Sequence, residues 1–490
     1  MPDKKKTHPL QDANEPNLLT ETYPHVLPPL IRFEGPVTEQ IDGQAVTFDL
    51  AAVKTRPICI TDTTFRDGQQ ARPPYTVDQM VHIYDLMSRL GGPNGVIRQT
   101  EFFLYTANDR ETLDRCRALG HDYPECTGWI RAVKGDFRLV KEAGLKETGM
   151  LTSSSDYHIF NKLKFHSRRE CMDAYCEVVD AALEAGVRPR CHFEDITRAD
   201  IEGFVLPFAE KLMRMSEQVP EELTAKIRLC DTMGFGLPYP GVDLPRSIPK
   251  LIYKLNREVG VPSDRLEWHG HNDFHKVSVN AATAWLYGCD FANTTLFGFG
   301  ERTGNPPLEG AIMEYIALKG DLCGIDTTAI TELADYMRSI GLPIPDNYPF
   351  VGKAFNTTRA GIHAGGLRQD ERIYNIFDTT RLLNRPPRVA ITDKSGADGV
   401  AHWVNESLGL TGKNRISKIK IHRLARWVND QYEVEGRLTA ISDQEMEAKA
   451  EELLGEYWHA NNDERRPAAT ETSGRSADQE TADTDRAARE

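Results

Sequence analysis

The chain has no uncharged apolar run near the roughly 18 residues a membrane-spanning helix needs. Its apolar stretches, such as Pro57–Ile60 and Ala281–Tyr287, are short or broken, which excludes an integral helical membrane protein. Positive charge is in deficit: 59 Lys and Arg stand against 73 Asp and Glu, a net charge of −14, so no basic face for nucleic acid is predicted. Cysteine is scarce, nine in 490 residues, with no CxxC pair. Cys171 and Cys176 have the wrong spacing for a zinc ribbon or a redox motif. Cys59, Cys191, Cys230 and Cys289 lie in apolar runs and read as buried free thiols in a reducing, cytoplasmic compartment. The start, MPDKKKTHPL, has basic residues with no apolar core behind them, so it is not read as a secretory signal. Residues 461–490 contain no Val, Ile, Leu, Met, Phe, Trp, Tyr or Cys. Such a segment buries too little apolar surface to offset chain entropy and is predicted to be disordered.

Hydrophobic residues make up 40% of the chain, enough for a large core. Residues 1–56 are Pro-rich and irregular, an N-terminal arm with a hairpin expected around Ile41–Phe48, turning at Asp42-Gly43. Beyond it, short β-branched runs alternate with helical periodicity. The runs are Pro57–Thr61, Val96–Phe103, Cys126–Ala132, Glu147–Leu151, Val187–Phe193, Lys226–Cys230, Leu266–His271 and Asp290–Thr294. Helical spacing follows at Val77–Leu90, Glu111–Leu119, Arg168–Ala185, Ile201–Ser216 and Val277–Leu286. Eight such units over 57–320 predict an α/β fold, a (β/α)8 TIM barrel. A helical subdomain is expected over 321–460. In such a barrel chemistry gathers where strands end.

The polar residues fall at those ends. The first run leads into Arg66-Asp67-Gly68. The seventh ends in His269-Gly270-His271, whose i and i+2 side chains share one face of a strand. Two imidazoles and one carboxylate, Asp67, make a metal site with open positions for substrate oxygens. Glu101, Glu194, Asp195, Asp231 and Thr232 occupy the same rim, each read singly as a cap or a structural polar residue. After the eighth run, Phe297–Asn305 is rich in glycine.

DTTFRDGQQ (62–70), TSSSDYH (152–158), FEDITRAD (193–200), DTMG (231–234), HGHND (269–273) and GFGERTGNPPLE (298–309) closely resemble the DRE-TIM metallolyase superfamily. The GxGERxGNxxLE form resembles its Claisen-condensing branch, which holds the 2-isopropylmalate, homocitrate, citramalate and Re-type citrate synthases. GIHAGGL (361–367) and DKSGADG (393–399) are similar to later family stretches. The resemblance implies a divalent metal (Mg, Mn or Zn) on Asp67, His269 and His271, with Asn305 at the shell. It implies Arg66, Glu194 and His363 as catalytic residues, His363 reaching a partner's site in a homodimer with a swapped C-terminal subdomain. Gln70, His158 and Thr232 would hold the 2-oxo acid, with acetyl-CoA as co-substrate. The implied activity is acyl transfer from acetyl-CoA to a 2-oxo acid, then thioester hydrolysis.

Two departures stand out. His192 and Phe193 replace smaller residues common in the branch, and both are expected beside the acceptor's side chain. An imidazole there suits a dicarboxylic acceptor such as oxaloacetate or 2-oxoglutarate. No leucine-regulatory domain is expected after Arg426. A 3-hydroxy-3-methylglutaryl-CoA lyase-type enzyme is the nearest alternative, although Phe297–Asn305 lacks its cysteine. A biotin-dependent carboxyltransferase would need an AMKM-like stretch, which is absent, and a non-catalytic scaffold would not need every ligand candidate. The basic stretch Lys162–Arg169 is read as a solvated helix start more readily than a CoA phosphate site.

Overall fold

A computed structural model describes residues 8–10, 15–359, 361–410, 412–455 and 457–459. The expected disorder of 461–490 lies outside them. Eight parallel strands close into a barrel in chain order: β1 (Cys59–Asp62), β2 (Ile97–Phe103), β3 (Glu125–Ile130), β4 (Glu147–Ser153), β5 (Arg188–Glu194), β6 (Lys226–Asp231), β7 (Leu266–Gly270) and β8 (Phe291–Thr294). β8 pairs back onto β1, with Asn293 opposite Thr61. Helices α1 (Val77–Gly91), α2 (Ala107–Ala118), α3 (Phe137–Glu142), α4 (Arg168–Glu184), α5 (Leu206–Ser216), α6 (Ile248–Tyr253), α7 (Val277–Tyr287) and α8 (Leu308–Lys319) alternate with the strands. α1 starts where a reciprocal capping box, Thr76 with Gln79, satisfies its first amides. The hairpin pairs Val37–Ile41 with Gln44–Phe48, and its Phe48 ring packs edge-on against Tyr253 and Tyr287. All nine cysteines are free thiols. Among the described residues no helix is long and apolar enough to cross a membrane.

Strand alternation sends one set of side chains outward, onto the helices. Phe102 stacks near Phe65 and Tyr84, and Phe193 stacks on Phe208 of α5 at 5.0 Å. The inward set is ionic where many barrels carry branched aliphatics. Low in the barrel, Glu147 accepts from Lys226 (2.9 Å), Arg190 (2.9 Å) and Gln99 (3.1 Å). Above it, Glu101 accepts from Arg190 (2.6 Å) and Arg228 (3.2 Å), and Arg228 also donates to Glu267 at 2.7 Å. Buried charges persist only when paired and hydrogen-bonded, and each of these is shared between strands.

The chain divides into two compact units. The first runs to Asn356 and takes back Arg372–Pro387, beyond the boundary at 320 read from the sequence. The helix α9 (Ala329–Ser339) buries Ile330, Leu333, Ala334 and Met337 in the same core as the barrel. Periodicity shows that such a helix has an apolar face, but not what covers it. The second unit is mainly helical, with Ala397–Ser407, Lys418–Glu433 and Asp443–Leu454 around a core of Val400, Val404, Leu424, Val428 and Met446.

Glu147 carries a pH signature. Burial alone would raise its carboxyl, but Lys226 and Arg190 outweigh that and hold it at about 2. A depressed carboxyl stabilises the fold above the unfolded value and loses that contribution as pH falls toward 2. Glu147→Gln is expected to remove this part of the acid dependence. At pH 7 it should cost about 3–5 kcal/mol, because Lys226 and Arg190 lose their charge partner. Urea unfolding of both proteins at pH 7 and pH 3 checks this.

Candidate active site and metal centre

β1 ends in a turn held by Asp62. Its carboxylate accepts from the Thr64 amide (3.1 Å), the Thr64 hydroxyl (2.5 Å) and the Thr100 hydroxyl (2.6 Å). This turn delivers Arg66 and Asp67 to the barrel mouth. β7 delivers His269, and the next inward position is His271. The Nε2 atoms of His269 and His271 lie 3.5 and 3.8 Å from Asp67 Oδ2. One ligand atom from each residue lies within 4.8 Å of the other two, and all three residues are buried.

The electrostatics suit a cation. Burial pushes both imidazoles down, so they are neutral with a lone pair to offer. Burial works to raise Asp67, but the Arg66 guanidinium beside it and the Asn305 amide that donates to it hold the carboxyl below its ordinary value. Two buried polar atoms at the centre have no hydrogen-bond partner, His271 Nδ1 and Asn305 Oδ1. Two imidazoles, a carboxylate and an amide form a donor set that fits a divalent metal with open positions. Asn305 here presents its amide nitrogen, donating to Asp67 Oδ2 (2.9 Å) and the Gly270 carbonyl (3.2 Å). A half-turn of the amide would exchange its oxygen into that place.

Arg66 is steered by Glu101. Its Nε donates to Glu101 Oε2 at 2.8 Å, and Thr63 donates to the same oxygen. Burial would raise Glu101, but Arg228, Arg66 and Arg190 hold it well below the usual carboxylate range. Glu101 is therefore the hub that aims Arg66.

A second cluster forms where β4 and β5 end. Glu194 accepts from Ser153, from His158 Nδ1 at 2.8 Å and from Lys162 Nζ at 3.0 Å. Burial opposes these contacts, yet together they hold its carboxyl at about 2. His158 sits on a π-helical turn, Tyr157–Lys162, a feature frequent at functional sites. Thr232 accepts from the Asp195 amide at 2.8 Å. Asp195 has a left-handed φ of 65°, a conformation uncommon for a non-glycine residue.

After β8 the glycine-rich loop has two positions that need glycine. A Cβ on Gly300 would meet Asn305 Oδ1 at 1.8 Å, and one on Gly304 (φ +90°) would meet the Gly298 carbonyl at 2.0 Å. Phe297 is left-handed at φ 53°; its amide donates to Glu309 Oε2 at 3.0 Å, and the Tyr348 hydroxyl donates to Glu309 Oε1 at 2.8 Å. This loop walls a cavity of about 830 Å³ whose other side includes Arg72, Pro73, Tyr75 and Leu342.

The structure thus gathers Arg66, Asp67, His269, His271 and Asn305 at one centre, and His158, Glu194 and Thr232 at a second point on the rim. Gln70 is exposed at the end of its turn, outside both clusters. His363 is exposed on the helix Gly361–Gln369 of the second unit. Lys162 and Arg168, read as a solvated helix start, are engaged by Glu194, Asp156 and Asp200.

One expectation is corrected. His192 and Phe193 cannot both face the acceptor, because neighbouring strand residues point to opposite faces. His192 points inward, 3.6 Å from Glu101 Oε1, with its Nε2 otherwise unpartnered. Phe193 points outward onto Phe208. Gly149 leaves the space that His192 occupies. Ser153, Lys162 and Glu101 were not singled out from sequence for these roles. Glu101 reads from sequence as one more polar residue of the rim, because its arginine partners Arg190 and Arg228 come from strands about 90 and 130 residues away in sequence.

A barrel with a two-histidine, one-carboxylate centre and an adjoining ligand-sized cavity is the architecture of a metal-centred enzyme. The chain matches the HMGL-like family over residues 57–337 and belongs to that family. It is 53% identical to the citrate (Re)-synthase of Syntrophus aciditrophicus over 455 residues, 92% of this chain and 69% of that protein. It is 47% identical to the citrate (Re)-synthase of Clostridium kluyveri, over 91% of this chain and 96% of that one. The 2-phosphinomethylmalate synthase of Streptomyces hygroscopicus is 38% identical, over 81% and 90%. The chain is an enzyme, a synthase of this family's condensing branch.

Glu309, which clips the glycine loop, gives a test of the site's construction. Burial pushes its carboxyl up to about 7 from 4.5. A raised carboxyl costs stability as pH climbs from about 4.5 to about 7 and a constant amount beyond. Glu309→Gln, which keeps an acceptor for Phe297, is expected to match the parent near pH 4.5. At pH 8 it should be more stable by up to about 3 kcal/mol. Denaturant unfolding at the two pH values reads the difference.

Proposed function

We propose that this enzyme condenses acetyl-CoA with oxaloacetate and hydrolyses the resulting thioester, releasing citrate and CoA. The observation that carries the reading is the Arg66–Asp67–His269–His271 centre opening beside the glycine-loop cavity, in a chain so similar to two citrate (Re)-synthases.

Asp67, His269 and His271, with Asn305, would hold a divalent cation, whose Lewis acidity polarises the carbonyl of a chelated 2-oxo acid. Arg66, aimed by Glu101, stands over that centre as a preorganised cation for the oxyanion that develops. His158 and Thr232 hold the acceptor from the β4–β6 side, with exposed Gln70 closing from the first loop. His192 offers an unpartnered imidazole Nε2 inside the barrel, which a second carboxylate can use and an apolar side chain cannot. The cavity takes acetyl-CoA: Pro73, Tyr75 and Leu342 face the pantetheine, and Arg72 and Arg302 supply positive charge.

Thioester α-protons are weakly acidic and need a positioned base. Glu194, held at about 2 with three donors on its oxygens, is the carboxylate that orients His158, and is too weak a base for this proton. The proton passes to an imidazole, His363, supplied by the C-terminal unit of a partner chain in a swapped homodimer. The acetyl carbon then adds to the carbonyl carbon, the C=O π pair moves onto its oxygen, which takes up a proton to become the tertiary hydroxyl, water cleaves the thioester to the carboxylate, and CoA leaves as the thiol.

Thiol release from acetyl-CoA, measured with 2-oxoisovalerate, pyruvate, oxaloacetate and 2-oxoglutarate in turn, tests the acceptor. Oxaloacetate should be preferred, and chelation should abolish the activity until a divalent metal is returned. A preference for 2-oxoisovalerate removes the dicarboxylic reading, and cleavage of 3-hydroxy-3-methylglutaryl-CoA would favour the lyase alternative.

Arg66→Lys loses the planar fork that Glu101 orients. Its kcat is expected to fall by about 10²–10³ while metal binding stays at the parent's level. Steady-state kinetics and a metal titration check both halves.

A further inference from the structure

Behind His269 runs a buried chain of hydrogen bonds. His269 Nδ1 lies 2.7 Å from Asn293 Oδ1, Asn293 Nδ2 donates to Thr61 Oγ1 at 2.9 Å, and the Thr61 hydroxyl donates to Glu267 Oε1. Asn293 and Thr61 are register partners across the β8–β1 seam. Thr61, Asn293, Glu267 and Arg228 are all buried, so solvent does not compete for their hydrogen bonds.

We propose that Asn293 and Thr61 are positioning residues that fix which nitrogen of His269 carries its proton, and thereby set the centre's affinity for its cation. The direction of the chain follows from its far end. Glu267 is paired with Arg228 at 2.7 and 3.1 Å and lies 3.5 Å from Arg190, and an ionised carboxylate only accepts. Thr61 has a single O–H, and Glu267 takes it. Thr61 therefore meets Asn293 with a lone pair, and Asn293 must turn its NH2 toward it. The Asn293 carbonyl is left facing His269, so Nδ1 must donate. His269 Nε2 is then a lone pair on the side of Asp67. An isolated Asn–His contact leaves both amide and tautomer open; the ion pair two residues away closes the choice. His271, by contrast, has no hydrogen-bond partner on Nδ1. The same Arg228 bonds Glu101, which aims Arg66. One buried ion pair thus orients both the imidazole ligand and the guanidinium.

The proposal rests on the metal-centre reading and not on the identity of the acceptor, so its test reads metal affinity. Mn2+ is titrated into the full-length protein by following the free-ion EPR signal. Thr61→Val and Asn293→Ala are expected to weaken binding about 10–100-fold, and Thr61→Ser, which restores the hydroxyl, to stay within about twofold of the parent. Thermal melts confirm that each variant is folded. Parent-like affinity in folded Thr61→Val or Asn293→Ala, or a Thr61→Ser variant as weak as Thr61→Val, overturns the proposal. A neutron map of the metal-free parent needs no variant: deuterium on His269 Nδ1 supports the proposal and deuterium on Nε2 overturns it. A parent that binds no Mn2+ brings down the metal-centre reading, and this proposal with it.

Discussion

Asp67 is the joint on which the molecule turns. It is a carboxylate almost wholly removed from water, and such a group is tolerated only where positive charge or donors surround it. Arg66 supplies one cation at 3.6 Å and Asn305 a donor, and the Nε2 atoms of the two imidazoles lie 3.5 and 3.8 Å from it. The cluster is therefore built to receive a further positive charge. It also ties three distant parts of the chain, the ends of β1 and β7 and the loop after β8, into one rim.

An ionic column under that rim fixes where its charged side chains point. A barrel lined with Glu101, Glu147, Glu267, Lys226, Arg190 and Arg228 gains little net stability over an apolar core of the same volume. What it gains is direction: each carboxylate has its oxygens committed, and each guanidinium has one orientation. Arg66 inherits its aim from Glu101, and Glu101 is itself fixed from β5 and β6. Preorganisation of this kind is what electrostatic catalysis requires, because the charges need not move as the reaction proceeds.

Much of this was legible in the sequence. The strands and the longer helices followed from their periods, and the grouping of Asp67 with His269 and His271 followed from the two histidines sharing a strand face near Arg66-Asp67. The same period, applied to 192 and 193, separates an inward imidazole from an outward Phe193, a distinction lost when both are expected beside the acceptor's side chain. Glu101 looked like an ordinary polar strand residue because its meaning lies in Arg190 and Arg228, and inter-strand pairing at that range leaves no local mark. Asn293 and Thr61 were hidden for the same reason: each is unremarkable until barrel closure sets them side by side. α9 fell within the helical subdomain expected from 321 onward, and only packing reveals that it belongs with the barrel core.

Anomalous diffraction from a crystal of the active, metal-loaded enzyme tests the central claim most directly. One strong peak within bonding distance of Asp67, His269 Nε2 and His271 Nε2 is the result the account predicts. An enzyme that turns over while its only metal peak lies elsewhere would contradict it.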